Sequence, residues 1–180
     1  MDRLIPVNKK NDILSKYTNT PIGELFEYHN LKHEFRNYQN AQILIGMCMD
    51  NRKHLHIPNN FAFIIRTGGA NLRYNEFQIS FAISVGGVKH IALIGHNNCG
   101  MVDLFSRKEQ FINGLVNNAG WNIEDAEKHF LNYEPVSEIG NEVDFILDQT
   151  NRLRIRYPKI LTAPILYNID DNNLYMIKEY

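Results

Sequence analysis

Apolar and polar positions fall into two textures along the chain. Three short runs are nearly continuous in apolar residues and rich in β-branched or aromatic side chains: Ile43 to Met47, Phe61 to Ile65, and His90 to Ile94. Unbroken apolar runs of this length predict strands buried in a sheet. Each run stops at chemically distinctive residues: Cys48 after the first, Arg66-Thr67-Gly68-Gly69 after the second, Gly95-His96 at the end of the third. Between the second and third runs, Phe77, Phe81 and Ala82 recur at helical spacing from Asn75 to Val85, and Gly86-Gly87 supplies a helix stop. Strand, helix, strand predicts a parallel crossover. Upstream, Leu25, Tyr28, Leu31 and Phe35 sit at steps of three and four, which predicts one or two helices within 12–39 laid over the body. After Cys99 the pattern is largely helical to Tyr157, including a periodic segment from Glu142 to Tyr157 that Pro158 ends. Ile160 to Ile169 and Leu174 to Ile177, separated by Asp170-Asp171-Asn172-Asn173, predict a closing hairpin. Pro164 within it implies an edge strand, an irregular strand, or a later start.

Strands alternating with helices predict an α/β domain with a mainly parallel sheet and helices on its faces. Ligands in such sheets lie beyond the carboxyl ends of the strands, where Cys48 and His96 both fall. A length of 180 residues suits one domain spanning 1–180, with the helical segment first and an α/β core from about 42 to 180.

Composition narrows the class. Apolar residues make up 44% and charged residues 22%, so disordered, collagen-like and coiled-coil readings have no support. A net charge of -1 leaves no footprint for wrapping nucleic acid or an anionic membrane. Arg152, Arg154, Arg156 and Lys159 are the one basic cluster, and their spacing spreads them around a helix as solvated surface. No apolar run approaches the ~18 residues that a membrane span needs. Met1 to Asn11 carries Asp2, Arg3, Lys9 and Lys10 without the apolar stretch of a signal peptide, so a cytoplasmic protein is expected. Two cysteines, Cys48 and Cys99, rule out a disulfide framework and leave buried bulk, redox chemistry or metal ligation.

His96-Asn97-Asn98-Cys99 puts an imidazole and a thiol one tight turn apart, and Cys48 would add a third donor. Thiolate and imidazole suit zinc, and three protein ligands with a free fourth position is the catalytic arrangement. Cys48-Met49-Asp50-Asn51-Arg52 then places an acid and a base at alternate positions, which an extended segment would aim at one face. His54 and His56 are candidate proton shuttles but read more simply as surface histidines. His29, His33 and His129 read the same way, and His90 belongs to a strand entrance. Gly68-Gly69 lacks the rest of a phosphate-binding pattern and reads as a turn or pocket wall.

Cys-x-Asp-x-Arg after one strand and His-x-x-Cys-Gly after another resemble the two signature motifs of the β-carbonic anhydrases. Ile65 to Ala70 is similar to that family's Arg-Asn-Ala-Gly loop, and Phe81 to His96 to the helix and strand leading into its second motif. The resemblance is good from Ile43 to Met101 and loose elsewhere. It implies four parallel strands with a fifth, antiparallel strand at the edge and helices on both faces. It also implies a homodimer or a multiple of dimers. Its activity would be reversible hydration of carbon dioxide to bicarbonate and a proton by zinc-bound hydroxide, favoured at alkaline pH. By the same token Cys48, His96 and Cys99 match the zinc ligands, and Asp50 and Arg52 match the catalytic dyad. Asp50 would become a fourth ligand in a closed state, and Thr67, Gly68 and Gly100 would line the substrate pocket. Thr67 and Gly68 depart from the asparagine and alanine common there, and Pro164 stands where the family tends to have glycine. Hydrolysis of carbon disulfide or carbonyl sulfide, a bicarbonate-responsive zinc protein without turnover, and a Cys48/Cys99 redox pair stay open as alternatives.

Overall fold

The apolar runs take their places in one sheet. In a computed structural model that describes residues 3–179, the strands are β1 (Leu4–Pro6), β2 (Ile43–Cys48), β3 (Ala62–Thr67), β4 (His90–His96), β5 (Leu161–Asn168) and β6 (Asn173–Ile177). The helices are α1 (Pro21–His29), α2 (Glu76–Ser84), α3 (Lys108–Ala119), α4 (Ile123–Ser137) and α5 (Glu142–Arg156). The sheet order is β1-β6-β5-β4-β2-β3. β3, β2, β4 and β5 run parallel, and β6 returns antiparallel to β5. The α/β fold with four parallel strands and an antiparallel fifth is therefore the one observed, with one addition. β1 pairs antiparallel with β6, so the fifth strand is not at the edge.

Side-chain alternation sorts the sheet into two faces. Ile43, Ile45 and Met47 point to the face covered by Ile22, Leu25 and Phe26 of α1. Leu44, Ile91 and Leu93 point to the opposite face, under Ile79 and Ala82 of α2 and Ile146 and Leu153 of α5. Each such buried aliphatic side chain contributes about 1.5–3 kcal/mol relative to exposure. Helix starts follow local chemistry: Thr20 caps α1 with Pro21 at its first position, and the Asn141 Oδ1 accepts from the Val143 and Asp144 N–H groups at α5.

Four expectations need correction. The run Phe61 to Ile65 reads as buried, yet β3 is an edge strand with Phe63 and Ile64 exposed, because among the described residues no strand pairs with its outer side. The helical pattern within 12–39 is real only over Pro21–His29. Asn30 ends that helix by acting as a strand partner: its amide donates to the Val7 and Leu174 carbonyls at 3.0 and 2.9 Å and accepts from the Leu174 N–H at 3.0 Å. Lys32 then turns left-handed, and Phe35 meets the Tyr28 ring edge-on at 5.6 Å without a helix between them. Pro164 sits inside a regular interior strand, opposite Leu93; pairing with β6 covers only Ile165–Asn168, so no β6 partner needs its missing N–H.

His29, finally, is not a surface residue. It is buried, with Nδ1 accepting from the His56 N–H at 3.0 Å, which leaves Nε2–H to donate to the Asn172 carbonyl at 2.9 Å. Burial lowers its pKa to about 4, so the ring is neutral. It ties the end of α1 to the segment that follows Arg52 and to the β5–β6 turn. Arg154 and Arg156 of the basic cluster are likewise engaged, with Glu179 and Glu76 respectively.

Candidate metal centre

β2 and β4 are neighbours in register Leu44↔Ile91 to Met47↔Ile94, which places Cys48 beside the end of β4 where His96 stands. The loop after His96 brings Cys99 back, with Asn98 left-handed at φ 54°. Asn97 anchors this loop: its Nδ2 donates to Asp170 at 3.0 Å and its Oδ1 accepts from the Ile169 N–H at 2.7 Å. From the other side, Glu142 at the start of α5 accepts the Cys99 N–H at 3.2 Å. That reach depends on Gly95, where a Cβ would stand 2.6 Å from Ile146 Cγ1; only glycine lets α5 lie this close to β4.

One donor atom from each of Cys48, His96 and Cys99 lies within 4.8 Å of the other two, and all three residues are buried. The two sulfurs are 4.0 Å apart. His96 Nδ1 lies 2.8 Å from the Asn97 carbonyl, so that nitrogen carries the proton and Nε2 presents a lone pair. Nε2 is buried and has no hydrogen-bond partner among the described residues, an arrangement that a metal ion in the middle of the triad would satisfy. Two soft sulfurs and one imidazole are a zinc donor set. The thiols titrate as one unit. The hydrogen bond from Cys99 pulls Cys48 down to about 3, while the same bond and burial push Cys99 up.

Asp50 follows the triad at the rim. Its Oδ2 lies 3.9 Å from His96 Nε2. Arg52 grips the carboxylate through Nε, at 3.0 Å to Oδ1, and Nη2, at 2.6 Å to Oδ2; its backbone N–H reaches Oδ1 at 2.9 Å. The same Nη2 donates to the Asn98 carbonyl at 2.9 Å, joining the segment after Cys48 to the loop between His96 and Cys99. The hydrogen bonds from Arg52 hold the Asp50 carboxyl well below the usual carboxylate range, so it is an acceptor throughout the physiological range.

The carbonic anhydrase family model matches residues 42–165, more than half of the chain. The chain belongs to the carbonic anhydrase family. Its fold is that of the β class. A β-carbonic anhydrase from Trichomonas vaginalis superposes with a TM-score of 0.62 at 22% identity, over 83% of this chain and 91% of that one. A carbonic anhydrase from Streptococcus mutans gives 0.58 at 16%, over 92% and 100%. A carbon disulfide hydrolase gives 0.55 at 21%, over 78% and 80%. No curated protein matches the chain in sequence.

As a carbonic anhydrase family member the chain uses zinc, and its Cys-His-Cys group is the set that could bind it. The other residues singled out in the sequence fall in different places. Thr67 pairs with Cys48 across β2 and β3, its hydroxyl buried without a partner among the described residues. Thr67 and Gly68 line a cleft of about 330 Å³ with Asn71, Tyr74, Met101 and Val136, whereas Gly100 is not part of that lining. His54 and His56 are exposed, and His56 packs on Phe35 at 4.5 Å, away from the triad. Three supporting residues escaped the sequence reading, Lys53, Asn97 and Glu142, whereas Arg66 stood out there at the end of the second apolar run. For Glu142 the signal was an acid at a helix start, which reads first as helix capping. Lys53 and Asn97 carried none.

Proposed function

We propose that this chain is a zinc carbonic anhydrase in which Cys48, His96 and Cys99 hold the ion and Asp50 and Arg52 serve the reaction beside it. The observation that carries the reading is the Asp50 carboxylate, clamped by Arg52 on both oxygens, 3.9 Å from the unpartnered Nε2 of the donor triad. Zinc bound there supplies a Lewis acid that brings the pKa of a water toward neutrality, so that it can attack carbon dioxide. Asp50, ionised, offers only lone pairs, so it accepts the O–H of the reacting water and turns an oxygen lone pair toward the substrate carbon. Arg52 keeps Asp50 in that role by engaging both carboxylate oxygens, which favours the orienting role of Asp50 over its use as a fourth ligand. The buried triad and the neighbouring Thr67–Gly68 cleft suit a small neutral substrate. Two free, buried thiols suit the reducing conditions of the cytoplasm. Among the described residues no helix is long and apolar enough to cross a membrane.

The test is stopped-flow hydration of carbon dioxide by protein of measured zinc content. Hydration well above the buffer rate, proportional to zinc, is expected; zinc-loaded protein at the buffer rate would refute the reading and leave a non-catalytic zinc protein. Carbon disulfide and carbonyl sulfide belong in the same assay, because a carbon disulfide hydrolase shares the fold.

Association is the second part of the proposal. The N-terminal helical segment packs its Leu25 and Tyr28 on its own sheet. The apolar surface lies instead at the free edge of the sheet, where Phe63 and Ile64 of β3 meet Phe77 and Phe81 of α2 around a cleft of about 270 Å³. Phe77 is 79% exposed, and Tyr74 and Val85 extend the patch. An open strand edge beside such a patch fits a second copy of the chain, since monomers rarely leave both uncovered. Light scattering at micromolar concentration should give twice the monomer mass or a multiple of it, and Phe77→Glu with Phe81→Glu should shift it toward the monomer. Wild-type protein that is monomeric would overturn this.

A further inference from the structure

One charged group near the centre has no place in the mechanism above. Lys53 is fully buried, with its side chain 0% exposed. Lysine is almost never buried to that degree unless it is paired, because dehydrating an ammonium costs several kcal/mol. Its Nζ donates to the backbone carbonyl of Asp50 at 3.2 Å and lies 4.0 Å from Asp50 Oδ1. The groups of opposite charge that act on it are Cys48, Asp50 and Cys99; the like charge is Arg66, which donates to the carbonyls of Lys53 and Cys48. The anion-forming groups that act on it most, Cys48 first and then Asp50 and Cys99, thus belong to the donor triad or to the Asp50–Arg52 pair.

We propose that Lys53 is a positioning residue for Asp50, an internal ammonium that holds the Asp50 backbone and carboxylate from inside the protein while Arg52 holds the carboxylate from the rim. Two cations then fix one carboxylate along different directions. Arg52 alone is 46% exposed in its side chain and would tether Asp50 to a mobile group. Lys53 is locked by burial, so the Asp50 main chain cannot rotate to carry the carboxylate onto the metal. The inference rests on the carbonic anhydrase reading for what Asp50 does, but not for where Lys53 holds it.

Lys53→Met tests it, with wild type measured alongside as the zinc protein, as the cobalt-substituted protein and after metal removal. Three results are expected together. The kcat for hydration falls roughly ten- to a hundredfold with KM little changed. The visible spectrum of the cobalt protein moves and becomes less responsive to added thiocyanate, as Asp50 takes the open ligand position. The metal-free variant melts no lower than metal-free wild type, because an apolar side chain of similar volume replaces a dehydrated charge. A lower melting temperature with wild-type kcat and cobalt spectrum would make Lys53 a structural strut and overturn the assignment. Should the methionine variant not fold, Lys53→Gln, one bond shorter and uncharged, decides: a wild-type kcat and cobalt spectrum there would overturn it equally. Inactive wild-type protein would sink the functional reading, while the cobalt spectra and melting temperatures would still decide where Lys53 holds Asp50.

Discussion

Asp50→Asn is expected to keep its zinc and to lose hydration activity by on the order of a hundredfold or more. The reason lies in which atoms donate. Arg52 presents N–H groups to both Asp50 oxygens, at 3.0 Å to Oδ1 and 2.6 Å to Oδ2. An asparagine must leave its single oxygen on that donor array, so its NH₂ turns toward the triad and a donor replaces the acceptor that the reacting water needs. Arg52→Ala should cost comparable activity by another route. It removes the clamp and the tie to the Asn98 carbonyl, and a freed carboxylate already 3.9 Å from His96 Nε2 needs little movement to become a metal ligand. The two variants therefore diverge in spectroscopy: cobalt-substituted Arg52→Ala should show an added oxygen ligand, and Asp50→Asn should not. Hydration rates and zinc contents measured on the same samples check both, and full activity in Asp50→Asn would overturn the mechanism whatever the metal does.

Loss of a donor from the triad should act on metal and stability together. Cys48→Ala, His96→Ala and Cys99→Ala are each expected to fall from about one zinc per chain to well below it, since two anchors on a cation that prefers four-coordination bind far more weakly than three. Zinc also links to folding, because the unfolded chain offers no preformed site. At zinc concentrations about a thousand times the dissociation constant the stabilisation is about 4 kcal/mol. For a chain of this size that corresponds to roughly ten degrees in melting temperature. Wild-type protein treated with chelator should lose that increment and regain it with zinc, and the three variants should melt near the metal-free value with or without zinc. Stoichiometric zinc in all three would refute the ligand assignment.

Local chemistry was legible in the sequence. Cys48, Asp50 and Arg52 lie within five residues, and His96 and Cys99 within four, so each motif is built by one strand end and its turn. The strands themselves announce where they are covered on both faces: the runs at β2 and β4 are apolar because helices pack above and below them. The run at β3 is just as apolar and lies at an exposed edge, because an apolar run marks a strand without saying whether it lies at the centre or the edge of a sheet. Likewise Leu25 and Tyr28 share a buried cluster, and Phe35 reaches Tyr28 by a turn and not by a helix.

What the sequence determined by itself was the α/β order of elements, the two turns that carry Cys48, His96 and Cys99, and the donor types they offer, because all of these depend on residues close together in the chain. The tertiary structure alone decided that β2 lies next to β4 and so joins Cys48 to His96 and Cys99. It alone placed Glu142 behind Cys99 by way of the close approach at Gly95, and it alone buried Lys53 beneath Asp50. A side chain's charge is written in its residue name, but its dehydration and its partners are set by packing between segments far apart in sequence, and no local spacing encodes that.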